Sequence, residues 1–309
     1  MKIVVTGGCG FIGSHVVELL VKEGNTVTVL DNLCTGKSEN LEHIQATRGK
    51  LKVELCDIRQ INSLRGFFQE AQPEAVIHLA AQAAITTSWK APYLDAHVNV
   101  MGTLNVIKMA NDYHAKRMVF ASTSAVYGPK RWGRLKETDI PKPDSPYGLT
   151  KRTAENYLRM LFPDSTVLRF GNVYGPRQVP IGENQVIARM ISHFETGTEF
   201  RIHGDGKQTR DYVFAADAAD AVAQGLHGKI GTYNIASGKS LSVMDVAHAV
   251  SDIYDVAFYP WEHDRAVDER RFVNLGVRAA ARELMWRAKT PFREGLQETI
   301  KWWNEAKHD

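Results

Sequence analysis

Residues 2–13 read KIVVTGGCGFIG, a short β-branched run (Lys2–Thr6) that passes through Gly7-x-x-Gly10-x-x-Gly13 into a helix expected over 14–22. Gly7 suits a tight turn, Gly10 lets a ligand approach the backbone, and Gly13 lets helix and strand pack closely. Outward from this unit the alternation continues. Strands are expected at 26–30, Leu51–Leu55, 75–79, 117–122 and Ser165–Phe170, and helices at 61–69, 98–113 and 147–161. Strands alternating with helices imply βαβ units and a doubly wound parallel sheet. After about residue 172 the rhythm breaks. Gly, Pro and polar residues cluster at 174–182 and 203–208, which suggests a smaller mixed α/β substrate lobe. The expected division is 1–171 for the first domain and 172–309 for the second, with a segment near 211–235, helical over 217–225, returning to the first.

Composition narrows the class. The chain has 309 residues, 44% apolar and 24% charged, with a net charge of +3, ordinary for a soluble globular protein. No basic run suggests nucleic acid, and no apolar run reaches the roughly 18 residues a membrane span needs. The opening MKIVVTGG enters a strand directly and does not resemble a secretory signal. Cys9, Cys34 and Cys56 are odd in number and lack zinc spacing, so a reducing, cytoplasmic setting without metal is expected.

A glycine turn between strand and helix offers free N–H groups and the positive end of a helix dipole to a pyrophosphate. Asp31 then ends the second strand, where a carboxylate accepts hydrogen bonds from an adenosine ribose and repels a 2′-phosphate. The expected cofactor is therefore NAD, Lys37 being the residue that could yet admit NADP. Asp57-Ile58 follows the third strand, where either an adenine contact or a plain turn fits.

Tyr147-Gly148-Leu149-Thr150-Lys151 places Tyr and Lys on one helical face. A nearby ammonium and a cationic nicotinamide favour the phenolate, so Tyr147 can exchange a proton with a substrate hydroxyl while hydride moves. Ser122-Thr123-Ser124, at the end of a strand, offers a hydroxyl to the same oxygen.

TGGCGFIG, VIHLAA, ASTSAVYG, SPYGLTK, NVYGPRQ and GDGKQTRDYV together resemble the extended short-chain dehydrogenase/reductases, the NAD-dependent epimerase/dehydratase group, with UDP-glucose 4-epimerases the nearest subgroup. The resemblance runs from Met1 to about Trp303. It implies a Rossmann-type fold and a role for each matching residue. Gly7, Gly10, Phe11, Ile12, Gly13, Asp31 and Asn32 would hold NAD, with Asp57 and Ile58 at the adenine. Leu79, Ala80, Ala81 and Ser122 would line the cofactor, and Asn99 would lie behind the nicotinamide. Tyr147 would be the base, Lys151 its partner and ribose anchor, and Thr123 the catalytic hydroxyl with Ser124 beside it. Asn172, Arg210, Arg265 and Asp268 would bind the nucleotide-sugar, although Val267 stands where the family usually has glycine. A gate on the sugar pocket would fall at Phe272 or Val273, the spacing to Trp286 leaving the register open by one residue. A homodimer through the helices at 98–113 and 147–161 is implied by the same resemblance.

Related dehydratases and decarboxylases carry a carboxylate just after the catalytic threonine. Here Ser124 and Ala125 occupy those places. The expected activity is 4-epimerisation of UDP-glucose and UDP-galactose, with UDP-N-acetylhexosamines or UDP-uronic acid as alternative substrates. A nucleotide-sugar dehydratase or reductase, and a non-catalytic NAD sensor, are the other readings.

Overall fold

Seven parallel strands form the main sheet of the computed structural model, which describes residues 1–45, 50–130, 133–180, 185–197, 200–256, 261–263 and 272–305. In chain order the strands are β1 (Lys2–Thr6), β2 (Thr26–Asp31), β3 (Leu51–Leu55), β4 (Ala75–His78), β5 (Arg117–Thr123), β6 (Ser165–Phe170), β7 (Asn172–Tyr174), β8 (Arg201–His203), β9 (Thr209–Phe214), β10 (Gly231–Ile235), β11 (Ser240–Ser242) and β12 (Trp261–His263). The main sheet runs β10-β6-β5-β4-β1-β2-β3. Its middle is apolar on both faces: Val4, Val5, Val76, Ile77, Val119 and Phe120 have no exposed surface, as expected where helices cover both sides.

On one face the helices Phe11–Lys22 and Ala215–His227 close a core that includes Val16, Val17, Leu20, Ala218 and Val222. On the other, the helices Ile61–Ala71, Thr103–Asp112 and Pro146–Leu161 bury Leu64, Phe68, Val106, Met109, Ala154 and Leu158. Burial of the five larger side chains contributes on the order of 10 kcal/mol at about 1.5–3 kcal/mol each. Strand order reverses at β1 and β4, and the crevice outside their carboxyl ends is where doubly wound sheets bind ligands.

The smaller lobe has its own core of Ile187, Met190, Ile191, Phe200, Tyr212, Phe214, Val246 and Val250. β7, β9 and β11 form a mixed three-stranded sheet, β7 parallel and β11 antiparallel to β9. After β9 the chain returns to the main sheet through the helix Ala215–His227 and adds β10 at its edge, parallel to β6. Trp286, 1% exposed, also packs back on this side, its indole N–H donating to the Asp217 carbonyl at 2.9 Å.

Three local departures from the sequence pattern bear on the site. The first helix begins at Phe11, not 14, because Gly10 is extended and serves as its N-cap. The helix expected over 98–113 is a π-helical turn, His97–Gly102, followed by the helix Thr103–Asp112. Two short helices, Ile85–Lys90 and Pro92–Ala96, precede it. Extra residues of the π type often mark functional regions.

Candidate active site

The glycine turn is built for close approach. A Cβ at Gly13 would lie 2.0 Å from the Gly7 carbonyl oxygen, and one at Gly7, where φ is +72°, would lie 2.6 Å from the Ala80 amide. Gly10 differs: its Cβ would meet only the Gly7 oxygen, at 3.2 Å, with open space beyond. Among the described residues no side chain caps the helix start at Gly10, so the first-turn N–H groups of Phe11, Ile12 and Gly13 have no side-chain acceptor there. This cradle fits a dinucleotide pyrophosphate.

Asp31 closes the loop from below. Its Oδ2 accepts the Cys9 amide at 3.0 Å and its Oδ1 the Leu33 amide at 2.9 Å. Burial pushes its carboxyl above the usual range despite those bonds. The Asn32 amide also bonds this carboxylate, and of its roughly four lone-pair sites acceptor capacity remains for a ribose hydroxyl. Lys37 is exposed, its amide donating to the Cys9 carbonyl at 3.0 Å. Asn32 donates to Asp57 at 3.1 Å. Asp57 is clamped by Arg59, whose Nη2 lies 2.6 Å from Oδ2, and this guanidinium holds the Asp57 carboxyl well below the usual carboxylate range. Ile58 is 5% exposed and lies in the core against Gly102, so only its backbone is available to a cofactor. Leu79 packs on the same core that supports the first helix, with Ala80 and Ala81 partly exposed at the end of β4.

At the far end, β5 ends in Ser122-Thr123 and passes into a short 3₁₀ turn, Ser124–Tyr127. Thr123 caps that turn, its Oγ1 accepting the Ala125 amide at 3.1 Å, and it also bonds the Tyr147 phenol. Ser145 caps the helix Pro146–Leu161, accepting the Gly148 amide at 3.2 Å. Tyr147 and Lys151 follow one turn apart. Burial pushes the Tyr147 phenol up to about 12, with the Thr123 bond opposing the shift. Burial draws Lys151 down to about 7, while Glu155 and Asp95 hold it up. Desolvation thus disfavours both charged forms in the free protein, contrary to the lowered phenol expected from the Tyr/Lys spacing alone. Lys151 sits over the Phe120 ring and makes no hydrogen bond to Tyr147.

Ser122 and Ser124 do not share one environment with Thr123. Ser122 is 4% exposed, and its hydroxyl donates to Glu155 at 2.6 Å. Glu155 also binds Arg169 through two bonds, at 2.9 and 2.6 Å, and Arg152 at 2.8 Å. Ser122 therefore belongs to the scaffold under the catalytic helix. Ser124 is buried in the 3₁₀ turn. Asn99 is buried as well; it accepts the Gln82 amide at 2.9 Å and donates to the Gln82 carbonyl at 2.9 Å, holding the loop after β4.

In the smaller lobe Asn172 stands opposite Tyr212 across β7 and β9, two residues along from Arg210. Arg210 Nη1 donates to the Thr209 carbonyl at 2.9 Å. Asp211 ties this strand down, accepting from Ser237 at 2.8 Å, Gly238 at 3.1 Å and Leu275 at 3.2 Å. Phe272 bridges to Thr209 and is 49% exposed, whereas Val273 is 4% exposed in a cluster with Val126, Tyr127 and Leu275. Arg265 and Asp268 lie outside the described residues. Asp95, Arg59, Glu155 and Arg169 were not singled out by sequence. Glu155 alone had a visible signal, its place one helical turn beyond Lys151.

A Rossmann-type sheet carrying a glycine cradle, an acid at the end of β2 and a Thr/Tyr/Lys group defines a dinucleotide-dependent enzyme of nucleotide-sugar type. The profile of the NAD dependent epimerase/dehydratase family matches residues 3–236, and the chain belongs to that family. Its cofactor is NAD. The chain is 34% identical to a UDP-glucose 4-epimerase of Mycolicibacterium smegmatis, covering 97% of this chain and 98% of that protein. Among solved structures it is similar to UDP-glucose 4-epimerase from Thermotoga maritima, determined with UDP-glucose (TM-score 0.94, 34% identity, 99% of this chain and 100% of that one). It is also similar to UDP-glucose 4-epimerase from Thermus thermophilus, in complex with NAD (TM-score 0.91, 35% identity, 99% and 100%).

Proposed function

We propose that this enzyme is a UDP-sugar 4-epimerase that interconverts UDP-glucose and UDP-galactose. The observation that carries this reading is the Thr123–Tyr147 pair beside Lys151, followed by Ser124 and Ala125 where an eliminating enzyme needs a carboxylate. Removing water across C5 and C6 requires a base for the C5 proton and an acid for the departing hydroxyl. Neither Ser124 nor Ala125 can act as either. Relatives and solved neighbours of this name support the same reading.

Bound NAD would supply a reversible hydride acceptor for C4 of the sugar and would be restored in each turnover. Gly7, Gly10 and Gly13 hold its pyrophosphate, Asp31 and Asn32 its adenosine ribose. Tyr147 takes the proton of the C4 hydroxyl and gives it back. Thr123 orients that oxygen, and Lys151 supplies the positive charge that a phenolate needs in a buried place. Asn172 and Arg210 hold the nucleotide diphosphate, an arginine fork being suited to phosphate oxygens. Phe272 is the more exposed of the two gate candidates and bridges to Thr209; as the gate, its ring would disfavour an acetamido group.

Two further parts of the reading concern assembly and setting. A homodimer is supported by Met101, Leu149, Tyr157 and Met160, exposed apolar side chains on the π turn and the helix Pro146–Leu161. A reducing, cytoplasmic setting is supported by three free cysteines.

The deciding experiment incubates the purified enzyme separately with UDP-glucose, UDP-N-acetylglucosamine and UDP-glucuronate and identifies the products. UDP-galactose from the first is the expected result. A 4-keto-6-deoxy product, or epimers from none of the three, would overturn the proposal.

A further inference from the structure

Beneath the helix that carries Tyr147 and Lys151 lies a buried carboxylate. Asp95, in the helix Pro92–Ala96, has no exposed surface. Its Oδ2 accepts the Thr150 hydroxyl at 2.6 Å. Its Oδ1 accepts the Gln82 side-chain amide at 2.6 Å and the Asn99 amide at 3.0 Å. One side chain thus joins the catalytic helix, the loop after β4 and the π turn His97–Gly102. Gln82 in turn accepts the Ala84 amide at 2.7 Å, so the loop at the mouth of the crevice is fixed from the same point.

All three donors are neutral. No lysine or arginine forms an ion pair with Asp95 among the described residues. Burying a carboxylate with neutral donors alone is costly, because no partner carries a compensating charge. The charge itself therefore calls for a use. Four groups act on the Lys151 ammonium. On its own helix is Glu155, from β4 comes His78, from β5 the Phe120 ring, and from the helix Pro92–Ala96 comes Asp95. His78 is neutral: burial draws its imidazole down to about 3. The charge of Glu155 is answered by Arg169 and Arg152. Asp95 is the anion among them whose charge has no cation in contact.

We propose that Asp95 is a positioning residue for the catalytic pair, fixing the Tyr147/Lys151 helix through Thr150 and keeping the Lys151 ammonium charged inside the protein. The inference rests on the function proposed above, in which Lys151 works as a cation. Thr150 separates the mechanical part from the electrostatic part, because Thr150→Val breaks the bond and leaves the anion.

The test reads Lys151 directly. Competitive labelling with trace acetic anhydride, across pH and mapped by mass spectrometry, gives the midpoint at which the Lys151 amine becomes neutral, with no substrate present. In Asp95→Asn the midpoint should fall by about one pH unit, a tenfold change in the protonation equilibrium. In Thr150→Val it should stay near the wild-type value. The alkaline limb of kcat should move down with it in Asp95→Asn. Asp95→Ser takes its place if the Asn variant does not fold. An unmoved midpoint in Asp95→Asn, or equal shifts in Asp95→Asn and Thr150→Val, would overturn the proposal. If wild-type enzyme epimerises no UDP-sugar, the function above fails while the labelling still decides the role of Asp95.

Discussion

The ammonium of Lys151 lies 4.2 Å from the centre of the Phe120 ring. Phe120 is a β5 core residue with no exposed surface, so the ring is a fixed plate at the floor of the crevice. An ammonium over an aromatic face gains roughly 0.5–2 kcal/mol, part of what burial costs it. The contact also fixes where the ammonium sits, over the Phe120 face; in the proposed mechanism the Tyr147 phenol is then left to Thr123 and the substrate.

This division of labour predicts unequal losses. Tyr147→Phe removes the proton carrier, and epimerisation should fall by about 10²–10⁴-fold while NAD stays bound. Lys151→Met keeps the phenol but removes both its charge partner and the ribose anchor, so activity and NAD retention should fall together. Coupled assays with UDP-galactose and the absorbance of released coenzyme check both. Substantial activity in Tyr147→Phe would refute its role as base.

Two glycines of the turn and one far from it should respond differently to alanine. Gly13→Ala forces a Cβ to 2.0 Å from the Gly7 oxygen, so both the melting temperature and NAD binding should collapse. Gly10→Ala meets the protein only at 3.2 Å; it should fold normally and lose NAD affinity at least tenfold. Gly66 sits in the helix Ile61–Ala71 with nothing within 4 Å. Gly66→Ala should stabilise the protein by about 0.5–1 kcal/mol. Thermal melts and NAD titrations of the three variants form one set, and a Gly10→Ala protein with normal NAD affinity would remove the pyrophosphate from this turn.

Acid lability should arise in part from two histidines. Burial draws His15 down to about 4 and His78 to about 3. In the unfolded chain both titrate near pH 6.5. Below that value the unfolded state takes up protons that the native state refuses, so stability is full above pH 6.5 and drains as pH falls toward the native values. Each contributes roughly 2–3 kcal/mol of loss by pH 4.5. Replacing His15 by Asn should flatten the fall in calorimetric stability between pH 6.5 and 4.5. An unchanged slope would show that the imidazole is protonated in the folded state.

Met160 is 76% exposed on the helix Pro146–Leu161, in line with Leu149 and Tyr157. This face is the interface of the proposed homodimer, so Met160→Glu should shift the protein toward monomer in sedimentation. Wild-type protein that sediments as a monomer would refute the dimer.

What the sequence made legible is what is local. The β1–turn–helix unit, the Tyr147/Lys151 spacing and the alternation through β6 depend on residues close along the chain, whose periodicity is written in order. Asp95, Gln82 and Thr150 meet only because three separate segments converge, and no spacing announces that. Arg59 was hidden for another reason: a surface arginine beside an aspartate looks like an ordinary turn until its guanidinium is seen on Asp57. Ser122 carried the right chemistry in the right stretch, yet the alternation of β5 directs it to Glu155.

The return of the chain through β10 has a consequence for synthesis. Residues 165–170 form β6, but the strand that covers its outer edge comes from 231–235. While the nascent protein emerges, β6 remains an open edge with unpaired backbone groups until the whole β7–β9 stretch has been made. An open parallel edge invites pairing with another chain. Translation arrested between 171 and 231 would release a product that holds the glycine turn and the Tyr/Lys helix and is prone to aggregate, so β10 acts as a seal on the folding of the cofactor half.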